Sequence, residues 1–134
     1  MLSFQKYDEM STPTDLLVAA KRVCDIADSE SMYRASINRL YYSAHHQCKL
    51  YQAALPRLGS VRNAKGRHEQ LINQLAFPDQ NLSSAQRDHS VAISKMLRVL
   101  CNLRVDSDYH MNIRVSSADL NEAIENVELL FQNT

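Results

Sequence analysis

Arg104 and His110 stand six residues apart near the end of a long helical pattern, and of all the side chains in the sequence they are the pair best suited to work on a phosphate. A guanidinium makes paired, charge-assisted hydrogen bonds to an oxyanion. An imidazole changes charge within the physiological pH range and can move a proton there. Arg104 draws notice because the apolar stripe Ile93, Leu97, Leu100 delivers it to the next inward-facing position. Such an arginine either snorkels, burying its stem and favouring the negative end of the helix dipole, or serves a site. On an unbroken helix the two side chains lie about 120° apart, so acting together requires a bend. Asp106, Ser107 and Asp108 prefer caps and turns to helix interiors, which predicts a break after Leu103.

A second set of candidates lies upstream. Arg39, Tyr42 and His46 recur at spacings of three and four and share a helix face distinct from that of Ile37 and Tyr41. That face either lines a cleft or packs its tyrosine at a dimer seam. His45, His68 and His89 have no partners at metal-ligand spacing. With no paired-histidine zinc helix, carboxylate cluster or glycine-rich phosphate loop in view, neither a metal nor a cofactor is expected.

The elements that must position these residues are helices. In 134 residues there are two glycines, three prolines and no tryptophan, a composition that favours an all-α, up-and-down bundle of four to five helices in one domain. Thr12-Pro13-Thr14-Asp15 reads as a helix start. It follows an N-terminal extension of residues 1–11 and opens a helix over residues 13–28 with the stripe Leu16, Ala20, Val23, Ala27. Tyr33, Ile37, Tyr41, Ala44, Cys48, Tyr51 and Leu55 mark a second helix over 31–55, ended by Pro56 and Gly59. A short helix over 67–75 precedes the Pro78 and Asn81 break. Ser83 and Gln86 have capping-box spacing and open a fourth helix over 84–104. Residues 105–115 are irregular, and Ser116 to Asp119 open a fifth helix over 117–132 with Leu120, Ile124, Val127 and Phe131 inside.

Charge bounds the function further. Fifteen basic and fifteen acidic residues balance to zero, which argues against a protein that coats nucleic acid by bulk attraction. Any such contact is local. Arg57, Arg62, Lys65 and Arg67 form one basic stretch, whereas Asp119, Glu122, Glu125 and Glu128 lie on a segment with no base. Cys24, Cys48 and Cys101 are odd in number and sit within apolar patterns, as reduced core thiols do. The N-terminus has no signal-peptide core and no apolar run reaches spanning length, so a cytoplasmic location without membrane contact is expected.

The stretch Leu97 to Met111, LRVLCNLRVDSDYHM, resembles the signature of the HEPN superfamily, an arginine and a histidine four to six residues apart near a helix end. Asp108-Tyr109 is similar to the branch with an Asp-Tyr pair, and Arg39 followed by Tyr41-Tyr42 resembles that branch's arginine and paired tyrosines. The likeness spans roughly Leu16 to Phe131 in helix order. It implies a metal-independent endoribonuclease, toxin-like or defence-associated, working as a homodimer with a composite Arg104/His110 site supported by Arg39, Tyr42, His46, Asp108 and Tyr109. It also implies an RNA substrate and a separately encoded antitoxin or nucleotidyltransferase as partner; in some relatives such a nucleotidyltransferase modifies the tyrosine that Tyr109 resembles, a point the sequence leaves open here. Catalytic members usually carry a polar residue after the arginine, where this chain has Val105. The alternative is therefore a non-catalytic HEPN module that binds nucleotide, RNA or a protein.

Overall fold

The computed structural model describes residues 10–134; residues 1–9 of the N-terminal extension lie outside the described residues. Among the described residues there are five helices and no strand: α1 (Pro13–Asp25), α2 (Glu30–Ala53), α3 (Arg67–Ala76), α4 (Ser84–Tyr109) and α5 (Ser117–Gln132). The starts follow local chemistry. Thr12 with Asp15, Ser83 with Gln86, and Ser116 with Asp119 each form a reciprocal capping box, and Pro13 occupies the first turn of α1. Ser29 caps α2 through the amide of Met32. α1 stops at Asp25, three residues before the expected end, where Ala27 turns back to the Cys24 carbonyl and Ser29 begins the next cap.

Long-range contacts define the topology. Arg34, near the start of α2, reaches the end of α4, while Tyr51 near the end of α2 stacks on His89 near the start of α4, so these two long helices run antiparallel. Gln47 bonds to Thr134 and Glu30 to the amide of Val115, which sets α5 parallel to α2. α1 packs on α2, and α3 runs along α4, tied by Glu69 to Arg98 and by the Ser90 hydroxyl to the Leu75 carbonyl. The core between them holds Ile37, Leu40, Leu75, Ile93, Leu97, Leu100, Val127 and Leu130, all with essentially no exposure. Truncating any one of these leucines to alanine is worth roughly 2–5 kcal/mol.

The break expected after Leu103 is absent. α4 is helical through Tyr109, five residues past the expected end. Two interactions keep the polar run helical: Ser107 donates its hydroxyl to the Leu103 carbonyl four residues back, and Asp108 pairs with Arg104 one turn below. The helix end is then held from outside. The buried Arg34 guanidinium donates to the carbonyls of Asp106, Ser107, His110 and Ile113, and its Nε donates to Glu30 at 2.8 Å. Two of these carbonyls, Asp106 and Ser107, belong to the last turn of α4, where a helix runs out of its own donors. The irregular segment therefore shrinks to the few residues between His110 and Ser116.

Candidate functional site

α4 ends with its two candidate groups on different sides. Arg104 turns toward α2: its Nε donates to Asp108 Oδ2 at 3.0 Å, and its guanidinium lies 5.6 Å from the Tyr41 ring centre and 5.3 Å from that of Tyr109. The Arg104 side chain is only 18% exposed, so its stem is packed while its head meets aromatic faces, a cation–π geometry. Asp108 is in turn fixed by Asn38 of α2, whose Nδ2 donates to the same Oδ2 at 2.9 Å. Asn38 lies inside the stretch that carries the resemblance, yet its role is decided by a partner seventy positions away.

His110 is the cap residue of α4, with φ −105° and ψ 79°. Its Nδ1 lies 2.8 Å from Asp106 Oδ1. Asp106 sits about 200° around the helix from Arg104, so the imidazole leans away from the guanidinium, and no bond or ring contact joins the two. The bend that would have swung them together does not exist, because the polar run is satisfied within the helix. Tyr109, Met111 and Ile113, exposed by 65%, 78% and 42%, surround this helix end with apolar surface.

The supporting face of α2 divides. Arg39 is exposed. Tyr42 and His46 pack edge to face with ring centres 4.4 Å apart, and line a groove of about 420 Å³ with Pro13, Leu16 and Leu50. They face α1, and no contact joins them to Arg104. Asp108 and Tyr109 are the supporting residues that do touch the arginine.

Two histidines without partners along the chain acquire them in space. Tyr41 of α2 meets His68 of α3, its hydroxyl 2.7 Å from Nδ1, and the ring centres of His45 and His68 are 4.7 Å apart. Both imidazoles feel the positive charge of Arg104. Burial, then the neighbouring His68, His46, Lys49 and Arg104, pushes His45 down to about 4; burial and then Arg104 lower His68 as well. Burial also raises the Tyr41 phenol. At neutral pH this is a row of neutral imidazoles beside a cation. Its sequence signal is faint: His45 falls one position after Ala44 on the core stripe, and His68 sits in the first turn of a short helix.

Among the described residues, no group of three or more His, Cys, Asp or Glu is placed to hold a metal ion, and no helix is long and apolar enough to cross a membrane. Cys48 and Cys101 are buried and Cys24 half-buried, none bridged. The chemistry on offer is thus a guanidinium in an aromatic and carboxylate frame, an imidazole backed by a carboxylate, and a row of histidines in which His45 is buried and His68 half-buried. No family model, curated protein or solved structure matches this chain.

Proposed function

We propose that this chain is a HEPN-type domain acting as a metal-independent endoribonuclease, toxin-like or defence-associated, in a homodimer. The Asp106–His110 pair carries the reading. With Nδ1–H donated to the carboxylate at 2.8 Å, the imidazole is held in the tautomer that leaves Nε2 free to accept a proton, the arrangement by which a carboxylate orients a general base. Arg104 supplies the second function. Its Nε bonds to Asp108, and a phosphate offers the guanidinium two charge-assisted bonds in exchange for that pair.

In the reaction His110 Nε2 takes the proton from a ribose 2′-hydroxyl, and the oxygen attacks the adjacent phosphorus. Arg104 stabilises the added negative charge on the phosphoryl oxygens. The 5′-oxygen leaves and takes a proton from solvent, giving a 2′,3′-cyclic phosphate and a 5′-hydroxyl, and His110 returns its own proton to solvent. Because the guanidinium and imidazole of one copy lie on opposite sides of α4, one phosphate draws Arg104 from one copy and His110 from the other. The exposed Tyr109, Met111 and Ile113 support a two-fold contact there. The resemblance to the HEPN superfamily supports a separately encoded antitoxin or nucleotidyltransferase as a partner.

A second reading, a non-catalytic HEPN module that binds RNA, nucleotide or a protein, is favoured by the Asp108–Asn38 frame that already holds Arg104 and by the apolar Val105 after it. Cleavage of single-stranded RNA in EDTA separates the two. The nuclease reading expects turnover that falls about 10²–10⁴-fold in His110→Ala and Arg104→Ala; equal activity in all three proteins rejects it, and binding without turnover selects the module.

A further inference from the structure

Asp108 Oδ2 is shared between two helices. Arg104 Nε lies 3.0 Å from it, one turn down α4, and Asn38 Nδ2 of α2 donates to the same oxygen at 2.9 Å. The carboxylate is sheltered there, with the Asp108 side chain 22% exposed, the Arg104 side chain 18% exposed and Asn38 half-buried. Arg104 has little other polar hold on the protein: its Nη2 makes a long 3.4 Å bond to the Tyr109 hydroxyl, and the Tyr41 and Tyr109 rings lie beside it.

Arg104 cannot turn to a phosphate without leaving an anion behind. Once the guanidinium departs, Asp108 is a sheltered carboxylate without its cation, and stranding one partner of such a pair is what makes its separation costly. Asn38 changes that balance. Its amide sits on α2, so it stays when a side chain of α4 moves, and its bond to a carboxylate is of the stronger, charge-assisted kind. It also pins Asp108 to the α2 side, which keeps the carboxylate from following the guanidinium towards a phosphate that it would repel. An amide suits the position because it gives a donor without adding a charge. A carboxylate at position 38 would repel Asp108, and a cation there would compete with Arg104.

We propose that Asn38 is a positioning residue of the α4 site, which holds Asp108 against α2 so that this carboxylate can give up Arg104 to an RNA phosphate. This role rests on the reading that Arg104 engages RNA, whether the strand is then cut or only bound. Asn38 acts through Asp108 and sets how readily the site takes up its substrate.

The test is the affinity of the full chain for a short single-stranded RNA with methylated 2′-hydroxyls, which binds without being cut, followed by anisotropy. Asn38→Leu removes the donor, and Asn38→Asp removes it with almost no change of shape, so one variant remains if the other fails to fold. Both are expected to bind about tenfold more weakly than the wild type. Asp108→Asn leaves no charge behind when Arg104 departs, so in that background Asn38→Leu is expected to lose its effect, a coupling that a merely structural role would not produce. The Arg104 Nε–H resonance gives a second readout: RNA is expected to shift it in the wild type, as it leaves Asp108, and to shift it less at equal RNA concentration in Asn38→Leu. Arg104→Ala separates the two levels of the reading. If it binds RNA as the wild type does, Arg104 is no phosphate ligand and the role of Asn38 falls with it. If it weakens binding while both Asn38 variants bind as the wild type, or if Asn38→Leu has the same effect in the Asp108→Asn background, the role of Asn38 alone is overturned.

Discussion

The hydroxyl of Tyr41 lies 2.7 Å from Nδ1 of His68, joining the middle of α2 to the first turn of α3. The same tyrosine ring stands 5.6 Å from the guanidinium of Arg104. One aromatic side chain thereby connects the histidine row to the cation at the end of α4, and the consequences are electrostatic as well as structural.

His45 and His68 make the protein acid-sensitive. Both are held below the usual histidine range when folded, His45 at about 4, whereas the unfolded chain takes up these protons near 6.5. Between those values the unfolded state binds more protons, so stability rises with pH across the window and falls on acidification. For His45 the full span is worth roughly 3 kcal/mol. Urea unfolding at pH 7.5 and 4.5 measures it, and His45→Gln is expected to flatten the slope. Glu30 and Glu69, lowered chiefly by their hydrogen bonds to Arg34 and Arg98, lose their contribution only further down, below the ordinary carboxylate range. An unchanged slope in His45→Gln would falsify the assignment.

Asp106 acts through His110, as a positioning residue. Asp106→Asn removes the charge facing Nδ1 while leaving the helix intact, and RNA cleavage is expected to drop by about ten- to a hundredfold. The loss is expected in kcat with KM unchanged, because the orientation of the imidazole is altered and the RNA contacts are not. A purely structural Asp106 would lower Tm and leave the turnover of the folded protein where it is.

The apolar rim at the end of α4 governs association. Met111, 78% exposed, sits where two copies are proposed to meet, and Met111→Lys places a charge in that contact. Sedimentation is expected to show dimers of the wild type dissociating at concentrations about tenfold higher in the variant. Wild type that sediments as a monomer at high concentration contradicts the composite site, whatever its RNA affinity.

Arg34 holds the segment that follows α4. Its guanidinium reaches four carbonyls between Asp106 and Ile113, and Arg34→Ala takes that donor from all four. Hydrogen exchange is expected to accelerate at the amides of His110 and Ile113, which bond to Asp106 and His110, more than at core amides of α2. Uniform acceleration across the chain would instead report global destabilisation.

What the sequence determined by itself is local. Thr12, Ser83 and Ser116 cap helices because a side-chain oxygen can reach an amide two or three residues on, and the stripes of α2, α4 and α5 repeat because 3.6 residues complete a turn. The position of Arg104 on an inward stripe is of the same kind. Tertiary structure decided the rest. Asp106, Ser107 and Asp108 read as breakers when considered alone, yet Arg34, more than seventy residues away, supplies donors to the last carbonyls, and a satisfied helix end has no cause to stop early. The histidine row needs α2 and α3 side by side, a neighbourhood that no spacing along the chain encodes. Burial and charge from separate helices, acting over a few ångströms through a low dielectric, are what turn His45, His68 and Arg104 into one electrostatic unit.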